Sequence, residues 1–304
     1  MTTQAAELVR PRPSTLAGRI VEFISRSPVH IVLAAVAIIW LVPSVGLLIT
    51  SFRPRGDIAS TGWWETFSTL NFTIDNYDQV LSGADMGSSF LNSLFISVPA
   101  TLIPLFLGGL AAFAFSWMRF PFRDTIFLAI VALMVVPIQM SLVPMLKLFQ
   151  WIGENGFGDK TLITGSFAGI WLAHAAFALP FCIFLLRNFF ITLPRDLIEA
   201  ARVDGASNFR IFLRVVLPLS VPALASFAIF QFLWVWNDLL MALVFVQEPD
   251  LLPMTVRISQ VQTTYGVEWH LLSAGSFVLM ALPLLVFFSL QRFFVQGLLA
   301  GSVK

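Results

Sequence analysis

Six long apolar stretches constrain this chain more than any other feature of its sequence. They cover roughly residues 30–50, 91–116, 125–147, 162–189, 217–246 and 271–294. Each is long enough for a helix to cross a bilayer, which takes about 20 mostly apolar residues. Membrane-spanning strands are shorter and alternate apolar with polar residues, and the run at 31–41 does not alternate. The sequence therefore predicts an all-α, polytopic membrane protein with six transmembrane helices.

The composition excludes the ordinary soluble classes of protein. Only 12% of the residues are charged and 58% are hydrophobic, whereas soluble domains carry about 25% charged residues. The same high hydrophobicity excludes a disordered chain. A formal net charge of +1 indicates no nucleic acid as a partner. The single cysteine, Cys182, excludes a disulfide within the chain.

The basic residues predict the orientation in the membrane. With a cytoplasmic N-terminus, 13 of the 18 Lys and Arg residues fall on the cytoplasmic side, as the positive-inside rule requires. An even number of spans then places both termini in the cytoplasm. The first stretch lacks a small-residue cleavage site and is interpreted as an uncleaved anchor rather than a signal peptide. We therefore expect a cytoplasmic N-terminal segment (1–29), a six-helix transmembrane domain (30–294, with its largest cytoplasmic loop at about 190–216) and a cytoplasmic C-terminal tail (295–304).

The sequence carries no motif for nucleotide, metal or nucleophilic chemistry. It lacks the G-x-x-x-x-G-K-[ST] phosphate loop, and its histidines, His30, His174 and His270, fall on different segments without metal-ligand spacing. No Gly-x-Ser-x-Gly marks a nucleophile, which disfavours an intramembrane hydrolase. We therefore expect no catalytic residue, no metal and no cofactor bound by this chain. Energy for uphill transport would then come from an ion gradient or from another polypeptide.

The segment between the fourth and fifth stretches carries the most specific pattern. Pro194 suits the first turn of a helix, and residues 195–203 predict a short helix that mixes apolar and charged side chains. Gly205 is free to take a positive φ and to reverse the chain. Ser207 can cap a second helix, and Pro218 ends or kinks that helix on entry to the membrane. The product is a helix, a tight turn and a helix with small residues exposed.

The residues of this segment follow a fixed spacing. They are Glu199, Ala200, Ala201, Asp204, Gly205 and Ala206, followed by Phe212, Leu217, Pro218 and Pro222. This pattern resembles the EAA loop of ABC importer permeases, in which a coupling helix docks in a cleft of a separate ATP-hydrolysing subunit. The resemblance implies that the first six residues couple this chain to such a subunit. The alternative is a solvated linker that merely joins two spans.

Other segments extend the resemblance to nearly the whole chain: 76–77 with 89–93, 236–238, and the tail at 296–304. They are similar to the maltose-type carbohydrate permeases, and six spans without extra N-terminal helices favour the MalG-like member of the pair. In that family the tail reaches the ATPase interface. The tail residues implied in this contact are Gly297, Gly301 and Lys304. Asp238 stands where the family usually has Glu.

The resemblance implies a type I ABC importer permease fold and a chain that performs no chemistry itself. Such a chain translocates a sugar by alternating access in a bacterial or archaeal inner membrane. The implied partners are a second homologous permease, two ATPase subunits that hold ATP and Mg²⁺, and an extracytoplasmic sugar-binding protein. The run at 57–64 looks similar to permeases of α-glucoside systems, which favours an oligosaccharide or glycoside as the substrate.

Polar residues in the apolar stretches are candidates for lining the sugar pathway, because they are costly in hydrocarbon and usually face a cavity or a partner. The candidates are Gln139, Gln231, Trp234, Asn237 and Asp238. The alternatives are hydrogen bonds between helices and a position near the outer interface; structural packing is also the alternative for His174. The alternative function, of a different class, is that of an ion-coupled carrier that acts alone through Asp238.

Gly165, Gly169 and Ala173 recur every four residues in the fourth stretch. Small residues at this period let two helices approach closely. The neighbouring helix belongs either to this chain or to a sister permease.

Overall fold

The computed structural model describes residues 16–83, 86–159, 161–264 and 268–300, and within these ranges every regular element is helical. In chain order the α-helices are α1 (Leu16–Ser51), α2 (Arg55–Ser60), α3 (Thr66–Thr69), α4 (Asp75–Asp78), α5 (Met86–Trp117), α6 (Arg123–Ala132), α7 (Ile138–Ile152), α8 (Thr161–Thr164), α9 (Phe167–Phe190), α10 (Arg195–Val203), α11 (Asn208–Ile211), α12 (Leu217–Leu219), α13 (Val221–Trp236), α14 (Leu240–Phe245), α15 (Met254–Thr264) and α16 (Trp269–Ala300). Short π-helical turns lie at Gln79–Gly83, Gly153–Phe157 and Phe212–Val216. The all-α prediction is confirmed.

Four helices, α1, α5, α9 and α16, contain apolar spans that are each long enough to cross a membrane. Two further spans are bent pairs: Arg123–Val135 with Ile138–Phe157, bent by 106°, and Asn208–Leu219 with Val221–Trp236, bent by 78°. Counting each pair as one span, the described residues contain up to six, as the apolar stretches predict.

The third and fifth spans are not the continuous helices that the apolar stretches predict. In the third span Val136 has φ −70° and ψ 120°, because the following Pro137 disfavours the helical conformation for the residue before it. In the fifth span the break falls at Ser220, between Pro218 and Pro222, where the sequence predicts an end or kink at Pro218. Each proline removes a backbone donor and crowds the preceding turn. The fifth span also ends early, at Trp236, with α14 following after residues 237–239.

Helices α5 and α9 pack closely at the centre of the bundle. A Cβ on Gly108 would lie 2.6 Å from the Sγ atom of Cys182, so only glycine permits this approach. The buried Cys182 thiol donates to the carbonyl oxygen of Pro104 at 3.3 Å. At the start of α9, a Cβ on Gly169 would lie 2.8 Å from the carbonyl oxygen of Ile163. The close contact of Gly169 is therefore made within this chain.

Helix α1 lies at the edge of the bundle. Only 6% of its most apolar window is buried, and Trp40 is 78% exposed. It packs against α16, and at its last turns the Ser51 hydroxyl hydrogen-bonds the Tyr77 hydroxyl at 2.7 Å and Gly46 lies against the Trp63 ring. An apolar helix with so little covered surface is typical of a span that faces lipid or another subunit.

The segment after α1 folds back over the end of that helix. Arg53 is buried, and its guanidinium donates to the carbonyl oxygens of Asp57 at 3.0 Å and Thr61 at 3.3 Å. The Asn76 amide donates to the carbonyl oxygens of Ser51 and Arg53, both at 2.9 Å. These bonds satisfy buried polar groups in a short irregular segment, and they make it a compact cap.

Candidate functional site

The turn after α10 is closed by a specific set of backbone hydrogen bonds. The N–H of Ala206 donates to the carbonyl oxygen of Ala201 at 3.0 Å, and the N–H of Gly205 donates to that of Arg202 at 3.0 Å. This is the Schellman arrangement of a helix C-terminus, which needs one residue with positive φ. Gly205 supplies it with φ +76°. The residues Ala-Ala-x-x-Asp-Gly-Ala therefore form the C-terminus of a helix and the turn after it, as predicted.

Helix α10 has a buried face and an exposed face. Ile198 is buried in the core of the bundle, and Ala201 packs against the same core. Glu199 and Val203, which are four residues apart and share a face of the helix, are exposed, as is Ala200; Val203 is 88% exposed. The exposed face of this short helix therefore combines a carboxylate with a small and an apolar side chain.

Two contacts join the α10 segment to the spans. The Arg202 guanidinium donates to the carbonyl oxygen of Trp117, the last residue of α5, at 2.8 Å. The buried Phe212 ring lies 5.6 Å from the Phe113 ring of α5, centroid to centroid. Ser207 caps α11, as predicted, by accepting from the N–H of Arg210 at 3.4 Å. A displacement of α10 therefore acts on α5 directly and on α13 through the chain.

The polar residues between α13 and α14 bond to nearby backbone. The Asp238 carboxylate accepts from the N–H of Ala242 at 3.1 Å, and the Asp238 carbonyl oxygen accepts from the Thr255 hydroxyl at 2.9 Å. The exposed Asn237 amide donates to the carbonyl oxygen of Leu233 at 2.7 Å. Asp238 thus satisfies a free N–H at the start of α14, as a capping residue does.

His174 is buried on the other side of Asp238. Its Nε2 atom lies 3.8 Å from the Asp238 carboxylate and has no hydrogen-bond partner within the described ranges. A cavity of about 10 Å³ lies beside Asp238 and is also lined by Ser93 and Ser97, close to the smallest volume that holds one water molecule. His174 and the Asp238 carboxylate therefore lie in the interior of the protein and do not line a wide pathway.

A larger cavity, of about 370 Å³, lies between the bend of the third span and α13. Gln231 and Trp234 line it together with apolar residues of α9, α13 and the bend. The Gln231 amide donates to the carbonyl oxygen of Ala100 at 3.4 Å. The exposed Gln139 follows the cavity-lining Ile138 but does not itself line the cavity. An aromatic ring beside a single amide in an apolar wall suits a ligand with both apolar and hydroxyl-bearing faces.

Most of the predicted site residues fall in three places. The coupling residues of α10 and its turn lie together, Gln231 and Trp234 share the large cavity, and Asn237 and Asp238 lie at the break before α14. Gly297 lies in the last turns of α16, whereas Gly301 and Lys304 lie outside the described residues. No group of three or more His, Cys, Asp and Glu side chains comes together in the described part of the chain.

Two structural roles were not predicted from the sequence. The Asn92 amide donates to the carbonyl oxygens of Asp250 at 2.7 Å and Leu252 at 3.2 Å, and the Ser93 hydroxyl accepts from the N–H of Met254 at 2.9 Å. These residues of α5 hold the segment that leads into α15. The resemblance picks out the Ser-Phe-Leu-Asn-Ser run, but no local pattern reveals partners about 160 residues away.

Comparison with known proteins places the chain in a family. Residues 104–300 match the binding-protein-dependent transport system inner membrane component family. The osmoprotective compounds uptake permease protein GgtD of Synechocystis is 50% identical over 94% of this chain and 95% of its own length. The alpha-glucoside transport system permease protein AglG of Rhizobium meliloti is 53% identical over 84% of this chain and 67% of its own length.

The fold agrees with these relatives. A chain in the crystal structure of a bacterial ABC transporter that imports the acidic polysaccharide alginate superposes with a TM-score of 0.72 at 20% identity, covering 93% of this chain and 99% of that one. The family match and the relatives confirm the resemblance of the sequence to carbohydrate permeases of ABC importers. The chain belongs to the binding-protein-dependent transport system inner membrane components and is a carbohydrate permease subunit of an ABC importer.

Proposed function

We propose that this chain imports an α-glucoside by alternating access, powered by separate ATPase subunits that dock on α10. The exposed face of α10 carries the proposal. It presents Glu199, Ala200 and Val203 to solvent, and the buried Ile198 and the turn at Gly205 hold it in place. ATP and Mg²⁺ would bind to the partner ATPase subunits and not to this chain.

The proposed coupling runs from the exposed face of α10 into the bundle. When the ATPase subunits close, they move α10, and the Arg202–Trp117 hydrogen bond and the Phe212–Phe113 contact transmit this movement to α5. The bend at Ser220 transmits it to α13. We place the α10 side of the chain in the cytoplasm, with both termini and the tail residues Gly297, Gly301 and Lys304 near the ATPase interface.

The proposed sugar pathway passes the large cavity. Gln231 and Trp234 would contact the sugar there, because an indole ring covers the apolar face of a pyranose and an amide bonds its hydroxyls. Gln139, Asn237 and Asp238 would shape the pathway, the last two through their backbone bonds rather than by contact. The α-glucoside assignment is supported by the name of the relative AglG and by the run at 57–64.

The proposed assembly contains a second homologous permease, two ATPase subunits and an extracytoplasmic sugar-binding protein in a prokaryotic inner membrane. The sparsely covered α1 provides surface for lipid and for the sister permease. In such systems the binding protein delivers the sugar, so the substrate preference belongs to the complete assembly and not to this chain alone.

The test reconstitutes the complete assembly in proteoliposomes and measures ATP-dependent uptake of radiolabelled maltose, trehalose and sucrose against an arabino-oligosaccharide. We expect uptake of α-glucosides only. A preference for the arabino-oligosaccharide would overturn the α-glucoside assignment. Gradient-driven uptake by the lone chain would overturn the ABC mechanism in favour of an ion-coupled carrier.

A second arm tests docking on α10. Val203→Glu should abolish ATP-dependent uptake and reduce co-purification of the ATPase, because it puts a charge into an apolar contact. The control is Ile191→Glu, at a residue that is also exposed but precedes α10. Unchanged uptake and unchanged co-purification of the ATPase in Val203→Glu would show that docking on α10 is wrong.

A further inference from the structure

A basic pocket lies between the end of α5 and the α10 segment, and the proposed transport mechanism uses only one contact in it, the Arg202–Trp117 hydrogen bond. Its volume is about 340 Å³, and it is lined by Trp117, Met118, Arg119, Arg202 and Asn208. We call it the basic pocket. All of its charged side chains are arginines, and no carboxylate lines it.

The basic pocket is rich in hydrogen-bond donors that have no partner. Neither Arg119 nor Arg202 forms an ion pair with any described residue. The bond from Arg202 to the carbonyl oxygen of Trp117 fixes this guanidinium and leaves its other donors available. The indole Nε1 of Trp117 is buried and likewise unpartnered among the described residues. A pocket of fixed donors with uncompensated positive charge suits an oxyanion, and guanidinium groups suit phosphate in particular.

The basic pocket borders the proposed docking surface. Arg202 lies four residues after the buried Ile198 and three after the exposed Glu199, so it stands at the border between the two faces of α10. Its guanidinium reaches the end of α5 by donating to the carbonyl oxygen of Trp117. A subunit docked on Glu199 and Val203 would therefore lie beside the basic pocket.

The surroundings of the basic pocket place it at the membrane boundary. Trp117 ends a span, and tryptophan is enriched where a span meets the headgroups. The neighbouring Met118 and Phe122 are exposed, Phe122 by 77%, and apolar side chains that stand open beside two arginines are typical of a surface in contact with lipid. The phosphate of an anionic phospholipid is thus within reach of the basic pocket.

We propose that the basic pocket binds a phosphate group, supplied by an anionic phospholipid, and thereby ties α10 to the end of α5. The phosphate bridges Arg119, which follows α5, and Arg202, which belongs to α10. Coupling between ATP hydrolysis and transport then depends on the anionic lipid content of the membrane. A soluble phosphate compound carries the same group, so the experiment distinguishes the two sources.

The test uses the complete transporter in nanodiscs of phosphatidylcholine with and without phosphatidylglycerol. Native mass spectrometry counts the retained phosphatidylglycerol, and ATPase activity is titrated against the phosphatidylglycerol fraction. We expect Arg119→Gln to weaken phosphatidylglycerol binding about fivefold, the effect of one basic residue near an anionic surface. Arg119→Lys should retain much of the binding. Arg214→Gln, at an exposed arginine of the same segment outside the pocket, is the matched control and should reduce the retention clearly less than Arg119→Gln.

A second experiment distinguishes a lipid phosphate from a soluble phosphate. Inorganic phosphate and glycerol 3-phosphate are added to transporter in pure phosphatidylcholine nanodiscs. If they restore the ATPase activity that phosphatidylglycerol supports, the pocket takes a soluble phosphate; if only phosphatidylglycerol acts, it takes the lipid. Equal phosphatidylglycerol retention by Arg119→Gln, Arg214→Gln and the unmodified protein would overturn the proposal. A carboxylate of the ATPase filling the pocket would give this same result.

Discussion

Gly205 shows how one residue sets the shape of the segment that we propose couples this chain to an ATPase subunit. Its φ of +76° closes the turn after α10, and a Cβ built there meets no atom within 4 Å. Space therefore does not explain why the position is glycine. The backbone conformation does, because a side chain in the left-handed region costs roughly 1–2 kcal/mol.

Gly205→Ala should therefore weaken the turn by roughly 1–2 kcal/mol and lower ATP-dependent uptake without affecting the spans. Hydrogen exchange should show faster exchange confined to residues 195–206. Gly205→Asn should be milder, since asparagine tolerates this conformation. Gly56→Ala is the matched control, because a Cβ there also meets open space and its φ is not positive. Similar exchange in Gly205→Ala and Gly56→Ala would contradict the role of the turn.

Asp238 offers a second test at the scale of single residues. In Asp238→Asn the side-chain oxygen can still accept from the N–H of Ala242, so we expect normal uptake and normal stability. Asp238→Ala loses the bond and should lower the free energy of unfolding by about 1 kcal/mol, the typical cost of losing a cap, measured by thermal unfolding in detergent. Loss of uptake in Asp238→Asn with unchanged stability would favour an ionisable role for Asp238.

At the scale of helices, the contact of α5 with α9 depends on Gly108. Gly108→Ala should destabilise the bundle by about 1–3 kcal/mol, the typical cost of overpacking, because the added carbon meets the Sγ atom of Cys182 at 2.6 Å. Cys182→Ala removes that sulfur, so the double variant should recover part of the loss in a mutant cycle. Gly156→Ala, in open space, should have little effect. Additive losses in the cycle would contradict the contact.

The sequence predicts well those helices whose ends are determined by residues close by in the chain. The short helix at 195–203 was predicted with the bounds that the structure shows, because Pro194 and Gly205 mark its ends locally. The kink near Pro218 was predicted as well, because proline is itself a local signal. The break of the third span at Pro137 and the early end of the fifth span at Trp236 were not predicted, because apolarity measures the length of a span and not its direction.

For the whole molecule, what the sequence does not predict is contact between distant segments. The bond from Arg202 to Trp117 joins residues 85 positions apart, and each residue alone is an ordinary member of its helix. The candidate pathway shows the same limit. Gln231 and Trp234 share a cavity, while Asp238, only a few positions later, faces His174 inside the chain. Their polarity made all three candidates, but only the fold separates them.

The orientation of the whole molecule can be tested with single cysteines. We expect a membrane-impermeant maleimide to label Trp64→Cys in intact spheroplasts, and Val203→Cys only after the membrane is permeabilised. Both positions are exposed, and the native Cys182 is buried, so its background labelling should be low. Labelling of Val203→Cys in intact spheroplasts would reverse the proposed orientation and place the α10 segment outside.

The sparse attachment of α1 has a mechanical consequence. Within Pro28–Ser51 this helix has little covered surface, and it is held by α16 and, at its last turns, by the Ser51–Tyr77 bond and the contact of Gly46 with Trp63. In the proposed alternating access, a helix with so few contacts can change its tilt in the bilayer without breaking the packing of the other spans.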